Sequence, residues 1–336
     1  VRLQPYEILK GKLLGEIHPD EVDDYADIWD RGVYRLEARP GDEADSFFRT
    51  YLRARFANTR EEGRAFDGPY HRTIFEGRAE DTLHLKRNPQ GVKSFLKGPF
   101  RSYANLFLRL SELGAETTSS FPECYYNSQL NRMDGHIMLA LAACEVDDPD
   151  ADDKIRAVSR GFDRAYVMLQ LNRAYDSNQF QELLYTLHPV LRGSSAFDIE
   201  SLINARVLEE INARRNTAAT ELLAYGQFKQ VGYGDYNTRF LRYFLARVES
   251  FLTEGLGCEL QDSLYNYVVG TGRSNAYHVE HILARNDESR ALFRDADGEF
   301  DEALFENERN RFGGLLLLKG KDNMSSGKEN YGEKLR

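Results

Sequence analysis

Near the end of the chain stands Tyr277-His278-Val279-Glu280-His281-Ile282, followed by Asn310-Arg311-Phe312-Gly313-Gly314-Leu315-Leu316-Leu317-Leu318. Tyr277 to Ile282 alternates as a short strand does, Leu315 to Leu318 reads as a buried strand, and Asp322-Asn323-Met324-Ser325-Ser326 opens a last helix. The expected order is strand, long connection, strand, helix. A unit confined to residues 263–336 buries little apolar surface, so it is expected to pack on what precedes it.

What precedes it is helical in texture. In Thr238 to Glu254, Phe240, Leu241, Phe244, Leu245, Val248, Phe251 and Leu252 recur at three-to-four-residue spacing, which predicts one apolar face along the whole helix. Similar spacing predicts helices over Phe47–Phe56, Phe100–Leu113, Leu130–Cys144, Lys154–Tyr175, Phe180–Leu187 and Ile199–Ala213. Breakers separate them, among them Arg39-Pro40-Gly41-Asp42, Gly68-Pro69, Asn88-Pro89, Gly193-Ser194-Ser195 and Val231-Gly232-Tyr233-Gly234. No repeat of fixed period occurs. The expected fold class is mainly α: an irregular helical body with a small C-terminal ββα unit.

The chain has 336 residues, 41% of them hydrophobic and 29% charged. That is globular composition, and no apolar run approaches the roughly 20 residues of a membrane helix, so no membrane partner is expected. Cys124, Cys144 and Cys258 are odd in number and far apart, which excludes a zinc ribbon or disulfide framework; reduced thiols fit the cytoplasm. The chain opens on Val1 without an initiator Met and stops at Arg336 inside a helical pattern, so a fragment cut at both ends is expected. A net charge of -10 argues against a general polyanion-binding surface. Residues 309–336 differ, with seven basic side chains against three acidic ones.

The chemistry sits with the two strands. Glu280 is a candidate ligand for a hard divalent cation, His281 a candidate base that takes a proton from water, and Asn323 a second oxygen ligand, with phosphate oxygens and water completing the shell. Mg or Mn is the expected cofactor. Adjacent strand residues point to opposite faces, so Glu280 and His281 share a site only if the strand breaks up there, and Ala284-Arg285-Asn286-Asp287 supplies a loop for that. His278 more naturally faces core or solvent than a metal.

At this point "HVEHILARN" with "RNRFGGLLLLKGKDN" resembles the HNH (His-Me finger) unit at the C-terminus of GmrSD-type modification-dependent restriction endonucleases. "LQPYEILKGKLLGEI" resembles the exit of that family's N-terminal ParB-like nucleotide-binding domain, and "RFLRYFLARVESFL" its helix ahead of the nuclease. The resemblance implies three parts: 1–18, the remnant of that exit; 19–262, the α-helical domain; and 263–336, the HNH-like ββα-metal unit. By matching position it implies His281 as general base, Glu280 as the acidic metal ligand, Asn323 as the ligand on the final helix and Lys328 as a basic residue near the phosphate.

Two positions depart from the family pattern. Ala284 stands where Pro follows His-Ile-Leu, and Gly314 stands where an Asn orients the base; Asn310, four residues earlier, is the candidate replacement. The function so implied is metal-dependent cleavage of DNA, modified or not, in defence against phage. The alternatives are a non-catalytic helical module that binds DNA or a partner, and an RNA-cleaving nuclease. NTP would act only through the family's N-terminal domain, whose Asp-Gly-Gln-Gln-Arg motif has no counterpart here; Gly320-Lys321-Asp322 is no P-loop, so no nucleotide-cofactor site is assigned. A homo-oligomer is compatible with the sequence.

Other features take plainer readings. The acidic run Glu145 to Asp153 lacks the Gly and bidentate Glu of a calcium loop and reads as a solvated connection. His18, His71, His84, His136 and His188 have no ligand spacing and are expected to be structural or exposed. Tyr125-Tyr126 and Tyr233 to Tyr236 read as core or ordinary surface tyrosines rather than base-stacking platforms.

Overall fold

Apolar residues at i, i+3, i+4, i+7 and i+8 make one helix face hydrophobic, and a chain with many such stretches must stack helix on helix. The computed structural model, which describes residues 3–38, 43–272 and 274–322, bears out a mainly helical protein; its described strands form one two-stranded sheet. The main helices are α1 (Pro5–Leu14), α2 (Val22–Glu37), α3 (Glu43–Phe56), α4 (Arg101–Ala115), α5 (Gly135–Ala143), α6 (Ala151–Leu171), α7 (Ser177–Leu191), α8 (Ala196–Arg215), α9 (Tyr225–Phe228), α10 (Thr238–Gly255), α11 (Leu264–Val268) and α12 (Glu302–Asn310). The strands are β1 (Tyr277–His281) and β2 (Leu315–Lys319). No described helix is long and apolar enough to cross a membrane.

The chain divides into two compact units. The first holds residues 1–128, 133–166 and 175–219; the second holds 129–132, 167–174 and 220–336. The strands share a compact unit with α10, and α1 buries Leu9 and Leu13 inside the first unit.

In the first unit, α3 presents Ala44, Phe47, Phe48, Tyr51 and Leu52, all essentially inaccessible, along one stripe. Phe48 stacks on Trp29 of α2 (ring centroids 5.4 Å) and on Tyr70 (5.5 Å), and Trp29 stacks on Phe100 (5.0 Å). Each such ring contributes roughly 1.5–3 kcal/mol by burial and about 0.5–1.5 kcal/mol more per well-placed pair. Helix α5, His-Ile-Met-Leu-Ala-Leu-Ala-Ala after Gly135, is buried all round and lies against α3 and α7. The single helix expected over Leu130–Cys144 does not form: residues 131–134 leave helical geometry, with Arg132 at φ 56°.

The acidic connection is more ordered than a solvated loop. Lys154 and Asp148 pair at 2.8 Å with both side chains almost fully buried, and Asp148 also accepts from the Glu145 and Asp150 backbone N–H groups, each at 2.9 Å. Burial alone would raise the Asp148 pKa, but Lys154 and these amides hold it below the ordinary carboxylate range. The pair anchors the turn into α6, while Asp147 and Asp152 make exposed ion pairs with Arg101 and Arg109.

In the second unit, α10 starts at Asn237, whose side chain accepts from the Phe240 N–H at 2.9 Å. Phe240, Leu241, Tyr243 and Ala246 are buried, whereas Val248, Phe251 and Leu252 are exposed. The apolar face therefore serves a core only in its first half, contrary to the continuous face expected. Arg242 donates to the carbonyls of Tyr267 (2.7 Å) and Gly270 (3.1 Å), tying α10 to α11, and Tyr267 stacks on Tyr277 of β1 at 4.1 Å.

Candidate active site

The sheet is antiparallel, pairing Tyr277 with Lys319 through to His281 with Leu315, and the Ile282 N–H donates to the Gly314 carbonyl at 2.8 Å. The ladder is regular to its end, so the break expected at Glu280–His281 does not occur. Alternation then sets Tyr277, Val279 and His281 on one face and His278 and Glu280 on the other. Glu280 is nevertheless close enough to raise the proton affinity of both His281 and Arg309.

His281 is half-buried at the last paired position of β1. Its Nε2 lies 2.9 Å from Asn310 Oδ1. Asn310 ends α12, one turn after Glu306, and its Nδ2 donates to Glu306 Oε2 at 3.4 Å; the same carboxylate oxygen accepts from Arg285 Nη2 at 3.0 Å. A carboxylate only accepts, so it fixes the amide with Nδ2 toward Glu306 and Oδ1 toward the ring. The ring therefore carries its proton on Nε2, and Nδ1 keeps the free electron pair. Helix α12 is held in place at both ends: Asp301 accepts from the Leu304 N–H at 2.8 Å, and Arg309 Nε donates to the Leu283 carbonyl at 2.9 Å.

Burial depresses the His281 pKa below its ordinary 6.5, with Arg309 adding to the effect and the Asn310 hydrogen bond, Glu280 and Glu306 opposing it. The imidazole is thus neutral at pH 7, the form a general base requires. The Arg285 guanidinium, bonded to Glu306, holds that carboxyl below the usual range, so the residue that orients Asn310 is charged at neutral pH.

Two glycines explain the local packing. Gly232 pairs with Arg311, and a Cβ at 232 would stand 1.9 Å from the Asn310 carbonyl oxygen; only glycine permits that approach. The turn it allows brings the Tyr233 ring to 4.7 Å from the His281 ring. At Gly314 a Cβ would meet the carbonyl oxygens of Arg309 at 2.7 Å and Glu308 at 2.9 Å. An Asn there has no room without a shift of α12, and Asn310, from the end of that same helix, makes the contact to His281 instead.

His281 and Asn310 are therefore brought together, and Glu280 lies nearby on the opposite face. Asn323 and Lys328 lie outside the described residues; the backbone has turned helical over 320–322, where the last helix is expected to open. Among the described residues no group of three or more His, Cys, Asp or Glu side chains could hold a metal ion. Sequence reasoning missed Glu306, Arg285 and Tyr233. The Glu306-to-Asn310 spacing of four was the available signal for the first, and Tyr233 sat in a run read as ordinary tyrosines.

No curated protein is significantly similar to the chain. Residues 225–336 match the family described as GmrSD restriction endonucleases, C-terminal domain. All the residues joined around His281, from Tyr233 to Gly314, fall inside that match, so this third of the chain is similar to the C-terminal domain of the GmrSD restriction endonucleases.

Proposed function

We propose that the second unit is an HNH-type, metal-dependent DNA endonuclease site in which His281 is the general base. The observation that carries this reading is the chain Arg285–Glu306–Asn310–His281, which leaves Nδ1 of a neutral imidazole free to accept a proton. Nδ1 takes a proton from water as the water oxygen attacks phosphorus; a P–O bond forms to the water, the bond to the leaving sugar oxygen breaks, and that oxygen takes its proton from solvent.

Mg or Mn requires few protein ligands, commonly one or two carboxylates plus substrate phosphate oxygens and water. Glu280 and Asn323 are the expected donors; the regular ladder sets Glu280 on the face opposite His281 and Asn323 lies outside the described residues, so the described residues alone do not assemble a site for the ion at His281. When bound, the ion stabilises negative charge developing on the phosphate. Lys328, outside the described residues, is by its matching position in the family the residue that would add positive charge near the phosphate. Asn310 holds the His281 tautomer, and Tyr233 limits the tilt of the ring.

Asn310 also favours this reading over a degenerate, non-catalytic module, because the orienting contact attributed to an Asn at position 314 is made by another residue. The test is nicking of supercoiled plasmid with Mg or Mn. His281→Ala is expected to lower the rate about 10²–10⁴-fold, the usual worth of a general base. Equal nicking by wild type and His281→Ala would sink the mechanism; cleavage of RNA but not DNA would reassign the substrate.

A further inference from the structure

Beside the His281 network lies a cavity of about 540 Å³ whose apolar lining is largely aromatic: Tyr225, Phe228, Phe293 and Phe312. Its wall includes Ile282 and Leu283, the residues that follow His281, and the Gly313–Gly314 turn into β2. The cavity therefore lies against the backbone that leads out of β1 and into β2.

The lining is partly fixed and partly free. Phe312 is buried, stacks on Phe228 with rings 5.3 Å apart and 9° from parallel, and is backed by Phe244 at 4.7 Å and Tyr236 at 5.5 Å. Phe312 thus backs the half-buried Phe228 ring with a packed aromatic stack. Tyr225, by contrast, is 73% exposed, with the Lys229 ammonium 5.4 Å from its ring centre. Also in the lining, Arg311 pairs with Glu308 at 2.8 Å, and Arg311 Nε is buried without a hydrogen-bond partner among the described residues.

Rings for stacking, a guanidinium donor with a carboxylate acceptor, and a lysine at the edge match three parts of a nucleotide: its π-face, its hydrogen-bonding edge and its phosphate. A free phosphate would not use the aromatic lining, and a purely apolar ligand would leave the Arg311–Glu308 pair unused. A base held inside a duplex cannot enter such a cavity; it must first leave the stack.

We propose that this cavity takes one unstacked nucleobase of a DNA strand, with Tyr225 and Phe228 as stacking surfaces and Arg311 and Glu308 reading its edge. The proposal rests on the nuclease reading for its choice of nucleic acid, and it is tested by binding without cleavage so that the two fail separately.

The experiment is fluorescence anisotropy in EDTA on a labelled duplex with a single bulged nucleotide, against the same duplex with an abasic residue in the bulge. Wild type is expected to bind the bulged base about ten-fold more tightly, the scale of one base–aromatic stack. Tyr225→Ala, at an exposed position where folding is not at stake, and Arg311→Gln are each expected to remove most of that preference. Equal affinity for base and abasic bulges, absence of binding to both, or a preference that survives both substitutions would overturn the proposal. A base preference in a protein that does not nick plasmid supports the cavity and counts against the nuclease reading alone.

Discussion

The two units use aromatic rings to opposite ends. In the first, Trp29, Phe48, Tyr70 and Phe100 stack into a layer from which solvent is excluded, and each ring has partners on several sides. In the second, Phe312 is buried, but the Phe228 ring stacked on it is half-buried and lines a cavity, and Tyr225 stands in solvent. The difference teaches where stability and where chemistry reside. A closed stack yields burial energy and little else, whereas an open one beside a half-buried histidine leaves room for a ligand and a proton.

That contrast can be broken by mutation. Phe48→Ala removes a ring from the closed stack and is expected to cost about 3–5 kcal/mol, read as a lower urea midpoint. The cost belongs to the first unit, so the protonation state of His281 should not change; a Phe48→Ala protein of wild-type stability would deny that this stack carries the core.

The next effect is the acid response of the same unit. Burial pushes His136 and His188 down to about 4 each. With folded pKa values below the ordinary 6.5, the unfolded chain binds these protons more readily. Their contribution is therefore intact above about pH 6.5 and is lost as pH falls toward about 4, by up to about 1.4 kcal/mol per pH unit for each ring. Unfolding free energies measured by urea titration between pH 7 and 4 should show this slope, and His188→Gln should flatten it. A stability unchanged over that window would contradict the burial of both rings as neutral groups.

Asn310→Ala sharpens the other side of the comparison. Loss of one oriented hydrogen bond costs about 1–3 kcal/mol, so plasmid nicking is expected to slow about 10–100-fold with little change in global stability. Wild-type nicking by Asn310→Ala would remove the orienting role from this residue.

Much of this organisation was legible beforehand. The strands fall within a residue of where alternation and the leucine run put them, and the helices over Phe47–Phe56, Ile199–Ala213 and Thr238–Glu254 lie where three-to-four-residue spacing predicts. Local periodicity reports which residues share a face, not what that face meets, so nothing in the spacing distinguished the buried first half of α10 from its exposed second half. Lys154 reads as an ordinary surface residue until Asp148 is seen beneath it. At the site, His281 and Asn310 were readable from the sequence, the latter only as a candidate substitute. Glu306 left only its four-residue spacing to Asn310 as a signal, and Tyr233 left none, because its part depends on the backbone approach at Gly232, which spans many residues of chain. The regular ladder through His281 likewise depends on β2, which an isolated stretch cannot reveal.

The central claim is that Asn310 and Glu306 hold a neutral His281 with its proton on Nε2 and its electron pair on Nδ1. Long-range proton–nitrogen correlation spectra of histidine-labelled protein at pH 7, with the His281 signals identified by their loss in His281→Gln, measure this directly. The expected result is a neutral ring protonated at Nε2, shifting toward mixed tautomers in Asn310→Ala. A doubly protonated ring at pH 7, or a proton on Nδ1 in the wild type, would contradict it.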